Sequence, residues 1–482
     1  MDNIKFIGRG TEIKLLSDLL AKKTSSLVVI KGRRRIGKSR LIEEFAKNMT
    51  FYRFSGLAPI DSIDAQAQRN EFALQLSRQT NIPELKIDDW TKLFNLLADK
   101  CTKGRIVILF DEITWMAHRD PTFLSKLKNA WDLYFKHNPK LMLILCGSIS
   151  AWIEKNIVSS TGYFGRISLD LTLEELPLKD CNKLLETLGF RRSAMEKLTV
   201  LSLTGGVPWY IEQVNPKYSA LDNIKELCFR QNSILSTEYK NIFHDLFGKR
   251  SLIYQKITTL LAASDLSYDA IAHKLDYAKS SALSDYLEEL ILSGYIDCFN
   301  SWSLKTGESS VKLKKYRLTD NFLRFYFRYM QNKLNLIQAG NYANVNPANL
   351  AGWQTMLGLQ FENLVLQNRE LIHLALSIKP EDIIANGSYF QQKNARQKGC
   401  QIDYLIQTKY RTLFVCEVKF SQNPITLDVI DKTKEKIARL SLPYGYAVVP
   451  VLIHNSKVTD GVLDADYFIN IINFGDYLSP NK

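Results

Sequence analysis

An apolar, β-branched run, LVVIKG at residues 27–32, is joined to a segment of helical spacing, KSRLIEEFAKN at 38–48, by Gly32-Arg33-Arg34-Arg35-Ile36-Gly37-Lys38-Ser39. The run suits a buried parallel strand, and Leu41, Ile42 and Phe45 share one helix face. The linking residues satisfy GxxxxGK[ST] in the strand-to-helix setting that this pattern requires. Gly32 and Gly37 permit the tight backbone that turns N–H groups toward phosphate oxygens, and the helix N-terminus adds partial positive charge. Lys38 is expected to reach the β and γ phosphates of a nucleotide, and Ser39 to ligate Mg²⁺. The other reading is a turn that only caps a helix. Arg33, Arg34 and Arg35 either add positive field beside the nucleotide or are solvated, and they receive no catalytic role.

A second element supports the first. RIVILFDEITWM at 105–116 reads as a strand ending in Asp111-Glu112, about seventy residues past Lys38. A carboxylate at a strand tip holds Mg²⁺, and a glutamate beside it acts as base for an attacking water, so Asp111 and Glu112 are assigned those roles. LMLILCGSIS at 141–150 reads as another buried strand, whose Ser148 either senses the γ phosphate or closes an ordinary turn. RISLDLTL at 166–173 reads as a fifth strand, with Arg166 placed to approach the nucleotide of this or a neighbouring subunit.

At 482 residues the chain exceeds one ordinary core, and two to four domains are expected. It is 46% hydrophobic and 23% charged, a globular balance. The net charge of +13 favours a polyanionic partner such as nucleic acid, or reflects only a basic solvated surface. Seven scattered cysteines without a CxxC pair argue against a disulfide framework or zinc site and fit a reducing cytoplasm. No apolar run approaches the ~20 residues of a membrane span.

FIGRGTEI (6–13), GRRRIGKS, Asp111-Glu112, CGSIS and TGGVPWY (204–210) together resemble the STAND branch of AAA+ ATPases, in particular the archaeal-type ATPases of archaea and many bacteria. The resemblance covers essentially the whole chain, and the GGVP element is its most specific part. It implies ATP as the nucleotide, a five-stranded parallel sheet over residues 1–175, a helical lid over 176–245, and adenine contacts from Arg9 and from the lid around Pro208. No arginine finger stands out, which implies slow hydrolysis by a nucleotide-driven switch, with a homo-oligomer or a regulatory protein as partner.

Residues 246–332 read as three helices and a hairpin, a winged helix-turn-helix. Leu283, Tyr286, Leu287, Leu290 and Ile291 form the apolar stripe of its third helix. Lys279, Ser280, Ser281, Lys312, Lys314 and Lys315 would face DNA, whereas Asp285, Glu288 and Glu289 would repel it. The other reading is a regulatory element packed on the ATPase. The polar stretch 333–352 is the expected linker.

In TLFVCEVKF at 412–420, a period of two puts Leu413, Val415, Glu417 and Lys419 on one strand face. QIDYLI precedes it across a hairpin-length turn, so Asp403 is expected beside Glu417, where two carboxylates hold Mg²⁺ and Lys419 orients or activates water. Asp403 with Glu417-Val418-Lys419 resembles the PD-(D/E)XK nuclease superfamily, Glu362 matches its upstream acidic metal ligand, and Gln401 precedes Asp403 as in numerous relatives. This resemblance implies a restriction-endonuclease-like α/β domain of αβββαβ order over 353–482. Lys393, Arg396, Lys398, Lys409 and Arg411 are candidates for the phosphate backbone. The alternative is a buried ion-pair network that only specifies the fold.

The expectation is thus an α/β multidomain ATPase gating a Mg²⁺-dependent DNA nuclease, for which family analogy suggests a defence or mobile-element role. Its rival is a regulatory ATPase or nucleic-acid scaffold with an inert nuclease-like domain. A processive DNA motor ranks third.

Overall fold

The structure, a computed structural model, describes residues 5–60, 62–83, 86–148, 150–247, 251–277, 281–393 and 397–479. Lys279, Ser280 and Arg396 lie outside these residues, as do the side chains of Ser281 and Lys312. The chain divides into two compact units, one of Phe6–Glu175 with Glu288–Gly294, the other of Leu176–Leu287 and Tyr295–Lys482 with the N-terminal residues.

In the first unit, β1 (Ser26–Lys31), β2 (Thr50–Ser55), β3 (Ile106–Asp111), β4 (Leu141–Gly147) and β5 (Ile167–Thr172) form a parallel sheet in the order β2-β3-β4-β1-β5. Every residue of β1, β3 and β4 is buried, as a sheet covered on both faces requires. Alternation sends Val28 and Ile30 to one face with Leu16, Ile42 and Phe45. Leu27 and Val29 go to the other with Phe54, Phe72, Trp90, Phe94 and Phe110. Burying each such side chain contributes about 1.5–3 kcal/mol. Phe72 stacks on Phe54 at 4.2 Å and meets Phe110 edge-on at 5.6 Å. That aromatic core draws on helices Ala65–Thr80 and Trp90–Asp99, which separate β2 from β3 in sequence. Because β1, β3 and β4 are adjacent and parallel, their carboxyl ends open at one edge, where α/β sheets place ligands.

The second unit begins with helices Leu178–Thr187, Ala194–Thr204, Ala220–Cys228 and Ile234–Phe247. Next along the chain are helix Ser251–Ala263, β6 (Leu266–Ser267), helices Tyr268–Lys274 and Ser281–Leu292, the last of which runs into the Glu288–Gly294 stretch counted with the first unit, then β7 (Ile296–Trp302) and β8 (Ser309–Leu318). The three strands pair antiparallel in the order β6-β8-β7. Of the predicted stripe, Leu283, Leu287 and Leu290 are buried, and Tyr286 and Ile291 are half-buried. Residues 333–352 hold two short helices, Leu334–Gln338 and Pro347–Asn349, and Ile337 is fully buried.

Helix Trp353–Gln367 precedes β9 (Ile383–Gln391), β10 (Cys400–Thr408) and β11 (Thr412–Lys419), which pair antiparallel. Helix Asp428–Arg439 then crosses to β12 (Ala447–His454), parallel to β11, and β13 (Asn470–Asn473) closes the order β13-β12-β11-β10-β9. The two sheets of this unit touch through β7: Trp302 Nε1 donates to Gln407 Oε1 at 2.8 Å, and its ring meets Tyr389 edge-on at 5.1 Å. Among the described residues no helix is long and apolar enough to cross a membrane.

Candidate functional site

The loop after β1 takes the shape its glycines allow. Gly32 has φ 147°, and a Cβ there would lie 2.6 Å from the Leu173 carbonyl oxygen. Leu173 cannot retreat freely, because its N–H donates to Lys31 O at 2.7 Å. Gly37, with φ 92°, caps helix Lys38–Ala46, and a Cβ on it would meet nothing within 4 Å, so open space lies beside the start of the helix. Arg9, Arg35 and Glu112 also adopt left-handed backbone, at φ 63°, 69° and 51°. Such conformations cost about 1–3 kcal/mol each and concentrate at functional sites.

Lys38 is buried, and its Nζ donates to Gly32 O (2.8 Å), Arg33 O (3.0 Å) and Ser148 Oγ (2.9 Å). Ser148 donates to Glu112 Oε1 at 3.2 Å, and Ser39 donates to Asp111 Oδ2 at 2.8 Å. Lys38–Ser148–Glu112 and Ser39–Asp111 therefore form two hydrogen-bonded chains that run side by side from neighbouring residues of the loop and of the end of β3. Burial raises the Glu112 carboxyl above its ordinary range, with the Lys38 charge opposing. A hydroxyl and a carboxylate this close are hard oxygen donors that fit Mg²⁺, and the open space at Gly37 beside a buried ammonium fits a phosphate.

Sequence reasoning missed Arg53. It sits on β2, donates Nη2 to Asp111 Oδ2 at 2.8 Å, and pairs with Glu43 of the loop helix. Its signal was faint, since β2 is a half-exposed edge strand without an apolar run.

Arg9 Nη2 donates to Glu174 O (2.6 Å) and Ile36 O (3.3 Å), which ties FIGR to the loop. Arg33 pairs with Glu175 at 2.7 Å. Pro208 stands in the second unit, at the first position of helix Pro208–Ile211.

Arg166 is engaged by Asp132, Nε to Oδ1 at 3.0 Å and Nη2 to Oδ2 at 2.9 Å. Its hydrogen bond is the main reason that the Asp132 carboxyl is held down at about 2. A depressed carboxyl contributes stability above its ordinary 3.8 and loses it as pH falls through about 2. Arg166→Ala should therefore lower Tm by a few degrees at neutral pH, by a deficit that narrows below pH ~4, with nucleotide affinity unchanged. Calorimetric melts across pH check this, and an unaltered Tm at pH ~7 rejects it.

The carboxylate group of the second unit lies on β10 and β11. Asp403 is one step past the Tyr404–Cys416 pair, which sets it opposite Glu417, and its Oδ2 accepts from Val418 N–H at 3.0 Å. Lys419 Nζ is 3.1 Å from Glu417 Oε1, yet that oxygen accepts no aligned hydrogen bond. Lys436, on helix Asp428–Arg439, places Nζ 2.5 Å from Glu417 Oε2 and 3.3 and 3.4 Å from the two Asp403 oxygens. Burial, then the Glu417 charge, push the Asp403 carboxyl up. Burial pulls Lys436 down, but the two carboxylates outweigh it and hold its ammonium above the ordinary value.

Glu362 faces Arg317 of β8 at 3.7 Å, while Arg317 donates from Nε and Nη2 to Asp265 Oδ2 at 3.0 and 2.7 Å. Burial, then Asp403, push Glu362 up to about 7. Lys315 lies 4.5 Å from the Phe390 ring centroid and 3.4 Å from Gln401 Oε1, and Lys409 pairs with Asp382 at 2.7 Å. Among the described residues no three His, Cys, Asp or Glu side chains stand close enough to hold a metal together. The Asp403–Glu417 pair, already bridged by one cation, fits Mg²⁺, which usually takes one or two carboxylates and completes its shell with water and phosphate oxygens.

The parallel sheet and the loop define a P-loop ATPase fold. More particularly, residues 6–214 match the model of a family described as an ATPase domain predominantly from Archaea. An uncharacterised protein of Methanocaldococcus jannaschii is 29% identical over 339 residues, 70% of this chain and 71% of its own length. Among solved structures, a Walker-type ATPase of Pyrococcus abyssi aligns at TM-score 0.50 with 17% identity, over 67% of this chain and 96% of its own. An ORC2 protein of Aeropyrum pernix, solved in ADPNP and ADP complexes, aligns at TM-score 0.43 with 14% identity, over 71% of this chain and 97% of its own.

Proposed function

We propose that the chain is an ATP-binding, slowly hydrolysing switch whose nucleotide state controls a Mg²⁺-dependent DNA nuclease domain in residues 353–482. One observation carries the nuclease half: Asp403 and Glu417 converge on a single cation with Lys419 beside them, in the same chain as a connected Lys38–Ser148–Glu112 group. In the first site Gly32, Gly37 and Lys38 hold the phosphates, Ser39 and Asp111 hold Mg²⁺, Glu112 orients water and Ser148 reads the γ phosphate. Arg9 serves the adenine. The engagement of Arg166 by Asp132 is consistent with slow turnover.

The order helix, strand, helix, helix, strand, strand over 251–318 supports a winged helix, and the order α, α, β, β, β, α, β from Trp353 to His454, which is αβββαβ with one added helix, Arg369–Ala375, supports a restriction-endonuclease-like domain. The proposed domains are accordingly 1–175, 176–245, 246–332 and 353–482, joined by 333–352. In the second site Asp403 and Glu417 would hold the metal, which when bound polarises the phosphodiester, while Glu362, the upstream acid, stands against Arg317 and Lys419 holds the attacking water. DNA is the proposed substrate, favoured by the +13 charge.

A second reading, a regulatory ATPase with an inert domain, is favoured by Asp403, Glu417, Lys419 and Lys436 already forming a closed ion-pair network. A cleavage panel on single-stranded, double-stranded and branched DNA, with Mg²⁺ or Mn²⁺, with and without ATP, separates the two. The expected result is metal-dependent nicking or cutting of at least one form, altered several-fold by ATP. Cleavage of no form, alongside ATP-dependent oligomerisation or partner capture, selects the inert domain.

A further inference from the structure

Lys436 belongs to neither resemblance, yet its ammonium occupies the centre of the carboxylate pair. Glu417 and Asp403 side chains are 2% and 13% exposed, and two such charges nearly out of water cost several kcal/mol each unless compensated. The lysine touches both: its Nζ bridges one Glu417 oxygen and both Asp403 oxygens, as a cation shared by two carboxylates does.

Its backbone is fixed. Val429, Ile430 and Thr433 anchor helix Asp428–Arg439 in the core, and Cys400 Sγ of β10 donates to Lys436 O at 3.2 Å. The side chain is 29% exposed, so its flexible stem has a route back to water. Charge counting gives the consequence. Asp403, Glu417, Lys419 and Lys436 sum to zero and Glu362 adds a negative charge when ionised, so a divalent ion added without expelling Lys436 leaves an excess of positive charge that withdrawing Lys436 reduces.

We propose that Lys436 is a built-in occupant of the metal position, a positioning residue that holds Asp403 and Glu417 in register and that a divalent ion must displace. This rests on the metal-site reading given above.

The test is calorimetric titration of Mn²⁺ into the nucleotide-free full chain carrying Asp111→Asn, which silences the first site, with and without Lys436→Met. The expected result is Mn²⁺ binding about tenfold tighter in Lys436→Met, because a competing cation is gone. Lys436→Gln should move the same way, and both variants should gain more Tm from Mn²⁺ than their parent does, which shows that they remain folded. Equal or weaker binding by both variants overturns the inference and leaves the metal site standing. Absence of Mn²⁺ binding in parent and variants alike overturns the metal site itself. Asp403→Asn with Glu417→Gln should abolish the titration, and its persistence places the ion elsewhere and overturns the assignment of Lys436.

Discussion

Lys38→Ala is expected to weaken ATP binding by about 10²–10³-fold, or about 3–4 kcal/mol. The Nζ is held at the mouth of the loop by Gly32 O, Arg33 O and Ser148 Oγ, all within 3.0 Å. On the proposed reading it exchanges those neutral acceptors for phosphate oxygens, and charge-assisted hydrogen bonds are roughly twice as strong as neutral ones. Lys38→Arg should fail as well, because a planar guanidinium does not fit a site shaped around a compact ammonium with three convergent acceptors. Alanine also orphans acceptors that Lys38 now satisfies, so a modest fall in Tm should accompany the loss of affinity. Calorimetry with ATP on the full chain measures both parts. Unchanged uptake by Lys38→Ala removes the nucleotide reading of the loop.

The extent to which this site was visible in sequence follows from burial. Strands β1, β3 and β4 are buried on both faces, so each shows as an uninterrupted apolar run that points directly at the residue closing it: Gly32, Asp111 and Gly147. β2 is an edge strand with mostly half-exposed residues, and TFYRFS carries neither a continuous run nor a clean alternation. Arg53 was missed with it, although the Ser55–Asp111 register brings its strand beside the Asp111 carboxylate. Periodicity does identify an element; it does not say which side chain of a neighbouring element arrives there.

The same limit applies at the second site. Asp403 and Glu417 were legible because an antiparallel hairpin fixes their register locally, through a turn of only three residues between β10 and β11. Lys436 reaches them from a crossover helix and Arg317 reaches Glu362 from a different sheet, so only the packed structure joins them. In sequence Lys436 is one of several charges in DVIDKTKEKIAR, indistinguishable from Lys432, which pairs in solvent with Asp428. The acidic partner of Arg317 most evident in the structure, Asp265, lies 52 residues upstream on the turn before β6.

Asp403→Asn is expected to reduce metal-dependent DNA cleavage by about 10³-fold, about 4 kcal/mol of transition-state stabilisation, while ATP affinity is unchanged. The substitution keeps the shape of the side chain and an oxygen able to accept the Val418 N–H, so the β10–β11 hairpin should persist. What it removes is one of the two negative charges that face the shared cation, and with it most of the attraction for a divalent ion. A purely structural ion-pair network predicts a different pattern: breaking one partner of a buried group leaves Lys436 and Glu417 unequally matched, and stability falls without any specific loss of chemistry. Measuring Tm and cleavage on the same preparation therefore separates the two. A folded Asp403→Asn protein that cuts as fast as its parent excludes Asp403 from the chemistry and leaves the carboxylate pair as a device of the fold.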